Sequence, residues 1–188
     1  MGLYRKQSLE RYTKDLADML PAPGGGSAAA LSAALGVSLV SMVVNFTLGK
    51  PRYAKYEARL KKTLASSEEL RKRFLKLVDA DVSAYKSKDL KRSLQVPLEV
   101  AELSLRAIAL CPPLIKQGNV NLISDVAVAA VLLEAAYTSA VFNVDINLKY
   151  LADKDLSLRL NRRLSRSSSR IKRIRLETEE KVGKIIRG

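Results

Sequence analysis

Apolar residues recur every three or four positions along nearly the whole chain, and no stretch sustains the period of two that a strand requires. The pattern predicts an all-α protein, a multihelical bundle with long helices. A first helix covers about residues 8–19. The run Leu20-Pro21-Ala22-Pro23-Gly24-Gly25-Gly26 breaks it, because neither proline nor glycine continues a helix well. Ser27 offers an N-cap for a second helix reaching about residue 48, which Gly49-Lys50-Pro51 ends. The third helix starts near Arg52 and runs into the mid-80s, with Tyr53, Tyr56, Leu60, Leu64, Leu70, Phe74 and Leu77/Val78 on one stripe. After a polar break from Lys86 to Asp89, residues 90–117 read as a fourth helix interrupted at Pro97 and at Cys111-Pro112-Pro113. Gly118-Asn119 is a turn. Residues 121–152 form a fifth helix, apolar nearly all round its middle and so expected to be central. Residues 155–186 form a sixth, basic and amphipathic, with Leu160, Leu164, Ile171, Ile174 and Ile185 on its stripe.

Composition narrows this picture. At 188 residues and 47% apolar, the chain suits one globular domain over residues 1–188. It carries 33 Lys+Arg against 19 Asp+Glu, a net charge of +14. Two segments hold all of the excess: residues 49–76 and residues 151–188 each carry +7, and the remainder is neutral. Both are periodic, helix-like stretches and read first as solvated faces, with an electropositive ligand surface as the alternative. Neither interleaves aromatics as a single-strand binder does, and no zinc-finger, RNP or KH pattern is visible, so nucleic acid is not an expected partner. The N-terminus is polar through Asp18, without a secretory pattern. Residues 27–44 have the length of a short membrane span, but their first half is Ala, Ser and Gly, which suits a buried helix better. No membrane partner and a cytoplasmic location are therefore expected. With no His and a single Cys, the chain lacks the commonest general base, nucleophile–histidine pairs and Cys clusters.

Acid–base chemistry must then rest on other groups. Gly24-Gly25-Gly26-Ser27 precedes a helix start, where converging N–H groups and the helix dipole suit an anion; a tight turn for close helix packing is the alternative. Continuing the third stripe past Phe74 and Leu77/Val78 puts Asp81 on the buried face and Asp79 off it. Burial should raise the pKa of Asp81 and fit it for proton transfer near neutrality, unless it pairs with a Lys or a helix end. Gly118-Asn119-Val120-Asn121-Leu122-Ile123-Ser124-Asp125 is rich in capping residues, and Asn121 and Asp125 are one turn apart. Asn143 and Asn147 are also one turn apart and read as polar contacts across a subunit interface. Lys50 and Arg52 could meet an anionic substrate tail, and Cys111 reads as a buried small hydrophobe.

Together these segments resemble the formimidoyltetrahydrofolate cyclodeaminase / methenyltetrahydrofolate cyclohydrolase family. The resemblance rests on Leu20-Pro21-Ala22-Pro23-Gly24-Gly25-Gly26-Ser27-Ala28-Ala29, Met42-Val43, Gly49-Lys50 with Tyr53, and Asp81-Val82-Ser83-Ala84-Tyr85. Val96-Pro97-Leu98, Gly118-Asn119-x-Asn121-x-x-Ser124-Asp125 and Asn143-Val144-x-Ile146-Asn147-Leu148 follow in the same order, so that residues 8–155 are covered. It implies an intertwined homodimer, a reduced-folate substrate, no metal and no cofactor beyond that tetrahydrofolate derivative. Asp81 is then the catalytic acid/base. Pro23, Gly24, Gly25, Gly26, Ser27, Lys50, Asn121, Ser124 and Asp125 are the expected substrate-binding residues. The expected reaction is hydrolysis of 5,10-methenyltetrahydrofolate to 10-formyltetrahydrofolate. The alternatives are a cyclodeaminase that releases ammonia and a basic helical binding protein that has lost catalysis. No formiminotransferase segment accompanies the domain, which favours a free-standing enzyme. One departure stands out: the family places roughly a dozen more residues between the Asp81 motif and Val96-Pro97-Leu98, and if that loop closes over the substrate, its shortening predicts a more open site, altered specificity or no activity.

Overall fold

The computed structural model describes residues 2–188, which form seven α-helices and no strand. They are α1 (Leu9–Ala17), α2 (Gly25–Asn45), α3 (Glu57–Ser87), α4 (Leu90–Ile108), α5 (Cys111–Gln117), α6 (Ile123–Leu151) and α7 (Lys154–Arg187). Short 3₁₀ turns precede α1, α3 and α6, at Tyr4–Lys6, Pro51–Tyr56 and Val120–Leu122.

Local chemistry explains most of the boundaries. Ser8, Asp89 and Asp153 cap α1, α4 and α7 by accepting the backbone N–H of Arg11, Arg92 and Leu156. Lys88 and Ala152 end α3 and α6 in the left-handed region, each at φ +56°. Two expectations are corrected. Ser27 is not an N-cap: α2 begins two residues earlier with Gly24 as cap, and the Ala28 N–H bonds the Gly24 carbonyl at 3.0 Å. Pro97 does not interrupt α4, which continues through it. An interior proline costs about 3 kcal/mol of helix propensity, and the buried neighbours Leu94, Val96, Val100 and Ala101 offset it through packing. Pro112 and Pro113 do mark a boundary, because they occupy the first turn of α5, where a missing N–H removes no helical bond.

Helix α2 lies antiparallel to both α3 and α6. Ser27 meets Val78 and Ser41 meets Ser67 on α3, while Gly25 faces Asn143 and Ser32 meets Leu132 on α6. The small buried residues Ala29, Ala30, Ala33, Ala34 and Gly36 allow this approach. A Cβ at Gly36 would stand 2.9 Å from Leu133 Cγ and 3.2 Å from the Ala129 carbonyl oxygen. Helix α6 packs on α2, α4 and α7, but one of its faces remains uncovered at Val128, Val131 and Phe142. The α7 stripe runs through Leu160, Leu164, Ile171, Thr178 and Val182, and Ile185 is exposed beyond it.

Candidate active site

The antiparallel register decides what meets at one end of the bundle. The first turn of α2 arrives beside the C-terminal portions of α3 and α6. Helix α4 begins there too, because only Lys88 and Asp89 separate it from α3. These segments enclose a cavity of about 300 Å³. Its walls are Pro21, Ala22 and Gly24 to Gly26; Asp81 and Tyr85 of α3; Ser93 of α4; and Asn143, Ile146, Asn147 and Tyr150 of α6.

Asp81 is seated against the glycine turn. A Cβ at Gly26 would lie 2.8 Å from Asp81 Cγ and 3.1 Å from Oδ2, so only glycine admits the carboxyl here. The Ser27 backbone N–H donates to that carboxyl. Burial pushes the Asp81 carboxyl above its ordinary range, and the Ser27 N–H opposes the shift without cancelling it. The Ser27 side chain turns away from the cavity. Its Oγ donates to the Val78 carbonyl at 3.1 Å and accepts from the Tyr12 hydroxyl at 3.1 Å. This buried chain clamps the start of α2 to α3 one turn before Asp81. Burial and the neighbouring Asp81 charge raise the Tyr12 phenol, partly offset by its bond to Ser27.

The α6 wall is polar and one-sided. Asn143 Nδ2 donates to the Ser139 carbonyl at 2.8 Å, and Asn147 Nδ2 to the Asn143 carbonyl at 2.7 Å. Each amide is thus tied to its own helix through one N–H, which leaves its second N–H and its oxygen as donor and acceptor. Tyr85 and Tyr150 are 59% and 65% exposed and offer aromatic faces at the mouth. This amide wall can both donate to and accept from the edge of a ligand. The N–H groups of Gly25 and Gly26, without intrahelical acceptors, suit an oxygen that carries negative charge.

Of the residues expected from the sequence, Gly24, Gly25, Gly26 and Asp81 meet in this cavity. Pro23 is buried behind its wall, following a cis Ala22–Pro23 peptide, and Ser27 contributes through its backbone. Lys50, Asn121, Ser124 and Asp125 gather at the opposite end of the same chain. There the Asn119 N–H bonds Thr47 Oγ1 at 2.8 Å and the Val120 N–H bonds the Tyr53 hydroxyl at 3.1 Å. Helix α2, 21 residues long, puts about 30 Å between the two groups. Asn143 and Asn147, read from the sequence as interface contacts, line the cavity instead. Tyr85, Ser93 and Tyr150 were missed, although Tyr85 falls one helical turn after Asp81. Asp79 is not off the buried face: its side chain is 10% exposed and lies 3.5 Å from Arg5 Nε. Cys111 is fully buried, which pushes its thiol up to about 12. Among the described residues no group of three or more His, Cys, Asp or Glu could hold a metal ion.

Comparison with known proteins adds an independent line. The family model described as formiminotransferase-cyclodeaminase matches in two segments, residues 8–88 and 86–166. They meet at the two-residue α3–α4 connection, where the sequence was noted as short. A methenyltetrahydrofolate cyclohydrolase from Methylorubrum extorquens is 36% identical over 79% of this chain and 82% of its own length. The formimidoyltransferase-cyclodeaminase of Rattus norvegicus is 29% identical over 84% of this chain, which spans only 34% of that longer protein. The crystal structure of formiminotetrahydrofolate cyclodeaminase from Thermotoga maritima superposes with a TM-score of 0.91 at 26% identity, covering 96% of this chain and 98% of the other. The chain belongs to the formiminotransferase-cyclodeaminase family.

Proposed function

We propose that this chain is a cytoplasmic enzyme that hydrolyses 5,10-methenyltetrahydrofolate to 10-formyltetrahydrofolate, with Asp81 as acid/base and no further cofactor. The observation that carries this reading is the Asp81 carboxyl, raised by burial and held by the Ser27 N–H inside a cavity floored by glycines. The likeness to a cyclohydrolase of similar length supports it. Asp81 takes a proton from water as the water oxygen bonds to the methenyl carbon between N5 and N10. The Gly25 and Gly26 N–H groups face the oxygen of the tetrahedral intermediate. The carbon–N5 bond then breaks with its electron pair passing to N5, and Asp81 returns its proton there. The second water proton leaves to solvent as the formyl group forms on N10. A cavity of about 300 Å³ lies at the small end of ligand sites. It suits the bicyclic ring and the reacting carbon, while the rest of the folate extends past Tyr85 and Tyr150.

The tail and the distant motif residues are reconciled by a homodimer. Helices α2 and α6 expose a shared apolar face at Leu35, Phe46, Val128, Val131, Phe142 and Ile146. A self-complementary contact through this face is isologous. With its two-fold axis near the middle of the helices, it lays the cavity end of one copy beside the opposite end of the other. Lys50, Asn121, Ser124 and Asp125 of one copy then approach the cavity of the second, and the basic residues from Lys50 to Lys62 receive the glutamate tail.

The test follows the absorbance of 5,10-methenyltetrahydrofolate with wild type and Asp81→Asn. Loss at only the spontaneous rate with wild type would refute the hydrolase reading, and unchanged turnover in Asp81→Asn would remove Asp81 from its role. A cyclodeaminase is the second reading, favoured by the fold match to the Thermotoga maritima enzyme. Ammonia release from formiminotetrahydrofolate distinguishes it. A single monomeric species in sedimentation, at concentrations where the enzyme is active, would rule out the dimer.

A further inference from the structure

Helix α1 is nine residues long and buries two side chains, Tyr12 and Asp15. Asp15 Oδ2 accepts from the Tyr4 hydroxyl at 3.0 Å and from Arg11 Nε at 2.9 Å. The Tyr4 ring stands edge-on to the Tyr12 ring, with centroids 5.5 Å apart and planes at 89°. Braced in this way, the Tyr12 hydroxyl donates to Ser27 Oγ at 3.1 Å. Ser27 in turn spans one turn of α3: its Oγ donates to the Val78 carbonyl at 3.1 Å, and its backbone N–H donates to the Asp81 carboxyl. That N–H belongs to the first turn of α2 and has no acceptor within its own helix. A serine hydroxyl near a helix start has competing local backbone partners. Here both of its roles are taken, acceptor by α1 and donor by α3, which leaves the N–H to Asp81. Tyr12 itself does not line the cavity.

We propose that Tyr12 is a positioning residue for Asp81: its hydroxyl, held by α1, fixes Ser27 so that the Ser27 N–H meets the Asp81 carboxyl. The inference rests on the reading of Asp81 as acid/base and adds a residue outside the cavity that acts on it through α2. Removing the hydroxyl frees Ser27 Oγ and loosens the N–H contact that favours the ionised carboxyl. Asp81 must be ionised to take a proton from water, so the acid limb of activity then moves to higher pH. The other groups around it are few. Tyr85 and Tyr150 are the further titratable side chains that line the cavity, and no Lys, Arg or Glu among the described residues does so. Helix α2 carries no charge, and on α1 Arg11 and Asp15 pair with each other.

The experiment measures kcat and KM for 5,10-methenyltetrahydrofolate across pH, above the spontaneous rate, with wild type, Tyr12→Phe, Ser27→Ala and the double variant. Tyr12→Phe keeps the ring and loses only the hydroxyl. The acid limb of its kcat should rise by about half to one pH unit, a loss of about three- to tenfold below the limb and none above it, because a hydrogen bond to a charged group is partly lost. KM should stay unchanged. Ser27→Ala keeps the N–H but loses both side-chain bonds, and should shift the limb at least as far. Adding Tyr12→Phe to it should shift the limb no further. Tyr4→Phe breaks the bond to Asp15 and leaves the Tyr12 hydroxyl in place; it should lower Tm with the limb unmoved. An unshifted limb in Tyr12→Phe overturns the proposal. So does a loss equal at every pH, which would give the hydroxyl a role in folding alone, and so do shifts that add in the double variant. If Tyr12→Phe does not fold, Ser27→Ala decides, and an unshifted limb there overturns the proposal. Turnover by wild type with unshifted variants overturns this inference alone, whereas a wild type without turnover, or full turnover in Asp81→Asn, defeats the reading on which it rests.

Discussion

Replacing Gly26 with alanine tests the site at its tightest point. The new Cβ would stand 2.8 Å from Asp81 Cγ and 3.1 Å from Oδ2, with Oδ1 nearer still. Ordinary carbon contacts begin near 3.4 Å, so the carboxyl must retreat by about 0.6 Å or more. Neither backbone can yield easily, because the Ser27 side chain ties α2 to the Val78 carbonyl and to Tyr12. The Asp81 side chain therefore rotates and gives up the Ser27 N–H. Overpacking costs about 1–3 kcal/mol, and the better helix propensity of alanine returns about 0.5–1 kcal/mol. A net loss of about 1–2 kcal/mol lowers Tm by roughly 2–8 °C at this size. A misplaced catalytic group costs on the order of 10²-fold in rate. Without the Ser27 N–H, which lowers the Asp81 pKa, the acid limb of the residual activity moves to higher pH. The controls are neighbours: a Cβ at Gly25 meets Asn143 Nδ2 at an ordinary 3.4 Å, and one at Gly24 meets nothing within 4 Å. Both alanine variants should keep or raise Tm by circular dichroism. Full activity of folded Gly26→Ala in the methenyltetrahydrofolate absorbance assay would refute the reasoning. A Gly24→Ala defect as large as that of Gly26→Ala would do the same, because it would make loop freedom, not clearance around Asp81, the cause.

Three further outcomes follow from named contacts. Asp81 is held above its unfolded pKa of about 4 by burial, so the native state retains a proton that the unfolded chain releases. Stability contributed at this site falls as pH rises through that window, and Asp81→Asn should raise Tm near neutrality by about 2–4 °C while abolishing turnover; a lower Tm across the whole pH range contradicts this. Gly36→Ala drives a Cβ against Leu133 and the Ala129 carbonyl and should cost about 1–3 kcal/mol in a urea titration, whereas an unchanged midpoint would mean that α2 and α6 separate freely. Phe142→Arg places a charge on the exposed apolar face of α6 and should shift sedimentation from dimer to monomer with loss of activity; a dimer of wild-type strength would move the interface elsewhere.

The sequence carried the helices and Asp81 because both depend on local spacing. Phe74, Leu77 and Val78 define a stripe, and Asp81 follows at the next turn whatever the tertiary arrangement. The same local rules misplaced Ser27 and Pro97, where tertiary contacts decide the outcome. Ser27 has the chemistry of a cap, but its hydroxyl goes to Val78 and Tyr12, 51 and 15 residues away, and glycines begin the helix in its place. Pro97 has the chemistry of a break, but a buried surface on both sides carries α4 through it. The cavity walls were the least legible. Asn143 reaches Gly25 only because α2 and α6 pair antiparallel in one register, and no short-range pattern encodes that register. Lys50 and Asn121 shared motifs with the site and were grouped with it, although α2 carries the chain about 30 Å between them and Gly24.

The absence of histidine now has a structural counterpart in the field around the cavity. In the proposed hydrolysis, the methenyl carbon carries positive charge shared between N5 and N10. Helices α3 and α6 bring their C-terminal portions to the cavity, with the negative ends of their dipoles on that side. Asp81 adds its carboxylate on the same side. An imidazolium would oppose that field and repel the cation, whereas a carboxylate attracts it and has its pKa raised by the same burial that shapes the site. The first turns of α2 and α4 present positive ends, and on α2 Gly25 and Gly26 leave them unobstructed by side chains. For the proposed hydrolysis, this arrangement would place the cationic carbon toward α3 and α6 and the developing oxyanion toward α2. The basic residues take no part in this division. Arg73 pairs with Glu99, Arg163 with Glu102 and Arg175 with Glu134, linking α3 to α4, α4 to α7 and α6 to α7 away from the cavity. Part of the +14 charge is thus bound into cross-helix ties, and the proposed chemistry at the cavity rests on one carboxylate and the orientation of the helices that meet there.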